Sequence, residues 1–414
     1  MKIKLLILFQ VFVLSLAVSA QWVQRAAFPG VARAKATSFT IGNKIYVMGG
    51  VTSASLILND FWEYDIPGNT WLHKPNFPGP ERYGGASFVI NNKGYISTGG
   101  NDFGNLYDLW EYDPSTSNWI QKADLPNGQA QHENQRTEAF AFSIGNKGYL
   151  GGGTGWVFGA NSTSSIAFFD LWEYNPGNNS WTSKSGIPDF IGRNMSIAVA
   201  INNKAYVGLG CDVNQTTYRK SMWEYDPVLD SWTAKANFPT TSTTDCAAFT
   251  LDSALYVLGG VNLSPLAVSS QFFKYDPVLD SWTQLSNFNG GSIVGEFAVS
   301  NGSSAFTGTG YNGSLNTRTD FWEFTSATTG INELIGDAEN GLIVYPNPAR
   351  EYLSVQSKKT ISSLEIFDVT GKLLITEKTT FTNIDVRDFP GGLYNLRVKF
   401  IDGAVVNRRV LFVF

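Results

Sequence analysis

Gly94-Tyr95-Ile96-Ser97-Thr98-Gly99-Gly100, followed by Trp110-Glu111-Tyr112-Asp113 and then by Trp119, is the stretch that decides the fold. Its first part reads as a strand stopped by paired glycines, and its second as a strand centred on aromatics. The arrangement recurs along the chain. Glycine-terminated segments return at Ile45–Gly50, Lys147–Gly152, Ala205–Gly210, Leu255–Gly260 and Ala305–Gly310, and the aromatic centre returns at Trp62, Trp172, Trp223, Phe273 and Trp322. Trp71, Trp181, Trp232 and Trp282 repeat the spacing that separates Trp119 from Trp110.

The unit is about fifty residues long, and glycine doublets followed by spaced aromatics at that period resemble Kelch repeats. Four strands per unit cannot bury both faces alone, so six such sheets are expected to pack around an axis as an all-β, six-bladed Kelch-type β-propeller. Trp322 is followed by no matching outer strand, whereas Trp22 stands alone before the first unit. The N-terminal strand around Trp22 is therefore expected to complete the last blade, giving a propeller over residues 21–324. Short, uniform turns such as Asn91-Asn92 and Asn202-Asn203 gather on one rim. The loops after each glycine doublet, and those leading into each innermost strand, emerge on the other rim and vary in length; the longest runs from Thr154 to Phe169.

Bulk properties narrow the function. The chain has 414 residues, 43% hydrophobic and 16% charged, with a formal net charge of −5. It has no Lys/Arg-rich run, which argues against a nucleic-acid partner. Residues 1–20 have the layout of a secretory signal peptide: basic Lys2 and Lys4, an apolar stretch from Leu5 to Val18, and small residues at Val18-Ser19-Ala20. Cys211 and Cys246 are the only cysteines. They fall on the variable rim in adjacent blades, as one possible disulfide or as two small buried hydrophobes.

Residues 325–341 read as a linker. Beyond it, Val344-Tyr345-Pro346-Asn347-Pro348, Leu364–Lys372 and Gly391–Val398 alternate apolar and polar residues, as in a small β-sandwich over residues 342–414. These three landmarks, in this order, are similar to the type A sorting domain of type IX secretion in Bacteroidetes. The tail Arg408–Phe414 is more apolar than the Lys-containing tails usual there. The resemblance implies passage across the outer membrane with the secretion machinery as partner, leaving the protein secreted or anchored on the outer face.

The candidate site residues fall on the variable rim. Arg33, Arg82, Arg136 and Arg193 occupy one register ahead of their innermost strands, with Thr243 and Ile293 at that register in the last two units. Two readings fit: four guanidinium groups at the channel mouth that fork onto carboxylates of a ligand, or repeat residues paired with Glu81, Glu133, Glu138 or backbone carbonyls. Trp156 is the one tryptophan outside the repeat slots. With Phe158, Phe103, Tyr107, Tyr311 and Asn161 it forms a candidate stacking platform. His73 and His132 cannot together build the imidazole-rich copper site of galactose oxidase, and neither a cofactor nor a metal is expected. The expected function is binding of a glycan or a protein on this rim. The alternative is a carbohydrate-active enzyme resembling the Kelch-type sialic acid mutarotases, for which Glu133 or Glu138 facing Arg136 would be the sign.

Overall fold

The computed structural model describes residues 21–126, 135–158, 163–188, 192–214, 216–240, 243–263, 266–326, 342–345, 349–368, 372–379 and 381–412. These residues form strands and turns, with no helix among them. One compact unit spans Ala20–Ser326, and a second takes up the C-terminal residues from Ala327.

In the large unit each repeat folds as an antiparallel four-stranded meander. The first blade runs Thr37–Ile41, Lys44–Met48, Phe61–Asp65 and Thr70–Lys74 from the axis outward. Five further sheets repeat this order. In the sixth, the outer strand is Gln21–Gln24, which pairs with Phe321–Thr325 so that Trp22 stands opposite Phe324. Start and end of the propeller are thereby joined in one sheet, which leaves no blade short of its outer strand. The turns between first and second strands are hairpins of the kind that need left-handed backbone, and Asn91 (φ 51°) and Asn92 (φ 59°) supply it.

The core is a ring of wedges between blades. Phe39, Tyr46 and Phe61 of the first blade meet Ile96 and Tyr112 of the second, with Trp110 and Trp119 packed against them. Fully burying one such ring stabilises by about 1.5–3 kcal/mol. Close approach there depends on absent side chains: a Cβ on Gly148 would lie 2.2 Å from the Phe88 ring of the neighbouring blade. Trp22 fills the last wedge, its ring centroid 4.8 Å from Phe288 and 4.9 Å from Phe324.

Alternate residues of the innermost strands face the axis and are small, among them Ser38, Ser87, Ala141, Ala198 and Ala248. They leave a channel of about 370 Å³ with no titratable side chain in its wall. On the variable rim, segments expected to be loops are partly hairpins. Thr154–Phe158 pairs with Thr163–Ala167, and Val261–Leu263 with Leu266–Val268.

The C-terminal unit has two sheets, one of Ile343–Tyr345, Tyr352–Gln356 and Ile384–Asp385, the other of Leu373–Glu377, Ile361–Phe367, Gly392–Phe400 and Val405–Phe412. Leu353, Val355, Leu364, Ile366, Leu396 and Val410 close a common core between them. Tyr394 stacks on Phe412 at 4.5 Å, so the apolar tail is part of that core.

Candidate functional site at the propeller axis

The four arginines are turned into the blades rather than open on the rim. All are fully buried. Arg82 forks onto Asp108 at 2.8 and 2.7 Å, Arg136 onto Asp170 at 2.6 and 2.8 Å, and Arg33 pairs with Asp60. Each also donates to the carbonyl sixteen residues downstream, at Gly49, Thr98, Gly152 or Leu209. In blade four Arg193 donates to the hydroxyl of Ser221 at 2.8 Å and to its carbonyl at 3.3 Å. The aspartates also accept from the blade tryptophans, Trp110 Nε1 to Asp108 at 2.8 Å and Trp172 Nε1 to Asp170 at 2.7 Å. The arginines are thus internal clamps that tie the rim to the third strand of their own blades, and the partners of Arg33, Arg82 and Arg136 are the aspartates two residues ahead of Trp rather than Glu81 or Glu138. The reason is burial: a guanidinium without solvent must find fixed acceptors nearby.

The other expected residues divide. Phe103 is 92% exposed at a hairpin tip and Trp156 is 44% exposed, and neither ring packs on another aromatic ring among the described residues. Tyr107 instead leans on the wedge of Ala86, Leu125 and Leu150, which removes it from the stacking platform. Glu133, His132 and Asn161 lie outside the described residues, as does the side chain of Phe158. His73 is on an outer strand against Trp62. Cys211 and Cys246 are both free thiols. Cys211 donates to Asn194 at 2.9 Å, and burial pushes both thiols up, Cys211 to about 11. Cys211 is buried and Cys246 half-buried, and the two are not joined as a disulfide.

A different register builds the site. Two positions after the arginine register stand Lys35, Gly84, Glu138, Met195, Asp245 and Gly295, all in left-handed backbone with φ between 50° and 64°. Each backbone N–H donates to the carbonyl of its counterpart in the preceding blade: Gly84 to Lys35 at 2.9 Å, Glu138 to Gly84 at 2.9 Å, Met195 to Glu138 at 3.3 Å, Asp245 to Met195 at 3.2 Å, Gly295 to Asp245 at 3.2 Å, and Lys35 back to Gly295 at 2.7 Å. This closed hydrogen-bonded ring surrounds the axis on the variable rim.

Side chains of alternate blades converge inside the ring. The ammonium of Lys35 is bonded to Glu138 and lies 3.5 Å from Asp245. Gly84 makes room, since a Cβ there would stand 2.8 Å from the Glu138 carboxylate. Burial opposes the charge on Lys35, but Asp245 and Glu138 outweigh it and hold the amine well above the usual lysine range. Burial pushes Glu138 up, against the pull of Lys35. Glu296, next after the ring, has two buried carboxyl oxygens that meet no donor in good hydrogen-bonding geometry among the described residues, the backbone N–H groups of Glu296 and Ala247 being the nearby donors. Burial pushes it up to about 8, the backbone N–H groups of Glu296 and Ala247 tempering the shift. These groups line a depression of about 140 Å³, with Tyr311 bordering it beside Gly295.

Three carboxyl groups face one ammonium here, so the site is rich in acceptors. It suits a ligand that brings hydroxyl or ammonium donors. Glu138 faces Lys35, while Glu133, the other acid expected to face Arg136 in the enzyme alternative, lies outside the described residues. Aligning the repeats on the arginines would have set these six residues in one column, but their convergence needs the ring to close.

Residues 8–190 match the KLHDC2/KLHL20/DRC7 Kelch-repeats domain, and residues 242–289 the Kelch motif. Residues 343–411 match the secretion system C-terminal sorting domain. Among solved structures, the one described as "Structure of YjhT" is similar with a TM-score of 0.59 at 16% identity, covering 73% of this chain and 97% of that one, a likeness of fold. No curated protein matches the chain.

Proposed function

Because the chain is a Kelch-repeat propeller ending in a secretion-system C-terminal sorting domain, we propose that it acts as a secreted or surface-held binding module whose ligand seats on the acidic depression at the axis. The observation that carries this reading is the meeting of Glu138, Asp245 and Glu296 around one depression, Glu296 lacking a well-formed hydrogen bond among the described residues. Buried polar groups in folded proteins ordinarily have partners, and a ligand hydroxyl or amine would supply one. The ligand class is a glycan presenting neutral hydroxyl or amino groups, with the exposed Trp156 and Phe103 offering apolar contact farther out on the rim. An acidic glycan is disfavoured, since Arg33, Arg82 and Arg136 are committed to aspartates inside the blades. Export through residues 1–20 and delivery to the outer face of the outer membrane belong to the same proposal.

A glycan array probed with the full chain and with Glu296→Gln tests it. Selective binding of neutral or amino glycans, weakened at least tenfold in the variant with its thermal midpoint retained, is the expected outcome. Preference for acidic glycans would overturn the acceptor reading, and binding of no glycan would shift the ligand to a protein.

Glu296 also favours a second reading, a carbohydrate-active enzyme. A carboxyl held near 8 is mostly protonated at neutral pH and can serve as a general acid beside the Lys35–Glu138 pair. Anomer exchange of sugars followed by NMR, lost in Glu296→Gln, is its test.

A further inference from the structure

Five of the six blades hold a guanidinium in the cradle between rim and third strand. Blades one to four use Arg33, Arg82, Arg136 and Arg193. Blade six has Ile293 at that register, yet Arg318 comes in from elsewhere on the rim to pair with Asp320 and to donate to the carbonyls of Ser292 and Gly290. Blade five differs. Thr243 stands in the arginine register, Gln271 in the aspartate register and Phe273 in the tryptophan register, and a cavity of about 240 Å³ opens among them. Among the described residues no cationic side chain lines it.

The rest of the cradle is still there. Gly259 occupies the position sixteen residues after Thr243 whose carbonyl takes an arginine N–H in blades one to four, and it lines the cavity. Phe238, five residues before Thr243, corresponds to Phe28 and Phe77, whose rings lie 4.7 and 4.9 Å from the guanidinium carbons of Arg33 and Arg82. Neutral oxygens serve such a cradle elsewhere, for Arg193 in blade four, fully buried, donates to Ser221 and Leu209. Beyond the Gly259 wall lies an acid, for Glu296 Oε1 would stand 2.9 Å from a Cβ on Gly259. The cavity reaches the surface at Ala267, which is exposed.

We propose that the blade-five cavity is a binding site for a guanidinium group from outside the chain, seated against Phe238 with its N–H groups on the Gly259 carbonyl and the Gln271 side chain. Arginine suits such a cradle where lysine does not, because a planar fork reaches several fixed acceptors at once while stacking on an aromatic face. The site is separate from the axial depression and stands or falls independently of it.

Calorimetric titration of the full chain with methylguanidinium and with N-acetylarginine methylamide, against methylammonium and N-acetyllysine methylamide, reads the proposal directly. Guanidinium probes should bind at least tenfold more tightly than their ammonium counterparts. If methylguanidinium alone binds, the ligand is a small free guanidine; if the arginine derivative binds as well, it is an arginine side chain of a polypeptide. Thr243→Arg should supply the group internally, raise the thermal midpoint and weaken guanidinium binding at least tenfold. Gln271→Asp should strengthen binding several-fold, and it decides the matter where Thr243→Arg does not fold. Equal affinity for both kinds of cation, unchanged binding in folded Thr243→Arg, or no gain in Gln271→Asp would overturn the proposal.

Discussion

Lys35 of the first blade reaches across the propeller axis to Glu138 of the third, 103 residues away in sequence, and bonds to its carboxylate inside the ring of backbone hydrogen bonds. The pair is largely screened from bulk water, so its removal has consequences for both stability and binding.

Lys35→Met leaves Glu138 and Asp245 facing each other without a counter-ion. Breaking a buried pair from one side costs about 3–5 kcal/mol, and the partial exposure of these side chains places the expected loss at the lower end. Adding Glu138→Gln should recover part of it. A double-mutant cycle by urea denaturation at pH 7 measures the coupling, and additive losses would show that the two residues do not interact.

Glu296 sets a pH dependence with a definite sign. Its ordinary value is 4.5 and the folded value about 8, so the folded chain holds more protons over that window. The contribution is fully present below about 4.5 and is lost as pH rises through about 8, amounting to at most about 5 kcal/mol. Glu296→Gln stays uncharged and lacks this slope. Urea unfolding of both proteins at pH 5 and pH 8 should show wild type losing stability relative to the variant, and parallel behaviour would contradict the assignment.

Arg82 separates structure from binding. Arg82→Met strands Asp108 without its fork and should cost about 3–5 kcal/mol, while a folded variant binds glycan as wild type does. Denaturation midpoints and array binding, measured together, check it. Retained stability with lost binding would return the arginines to the ligand site.

Trp22 closes the ring of blades. Trp22→Ala removes a side chain 7% exposed among Phe249, Phe272, Phe288 and Phe324, with an expected loss of about 3–5 kcal/mol. By contrast Trp156→Ala, at an exposed rim position, should change stability by no more than about 0.5 kcal/mol. Thermal unfolding of the two variants distinguishes closure from decoration.

Periodic features were legible before any coordinates. Glycine-terminated segments and tryptophans at constant spacing report a repeat because every blade must solve the same packing problem with the same residues. The arginine register was equally visible, but its meaning was not. A guanidinium near a channel mouth and one locked against an aspartate two residues ahead of a tryptophan look alike in one dimension, and only burial tells them apart. The pairing of Thr154–Phe158 with Thr163–Ala167 is not legible in the sequence because its polar, glycine-containing composition is that of a loop.

From sequence alone came the propeller, its closure device at Trp22 and the C-terminal β-sandwich with its sorting motifs, all of which rest on local patterns repeated or kept in order. What the tertiary structure decided was which side chains meet. Lys35, Glu138, Asp245 and Glu296 lie in four different blades, and the cradle left open at Thr243 and Gln271 is seen as open only beside five filled ones. Sites of this kind arise where the chain curves back on itself, and no local pattern encodes the distance between blades.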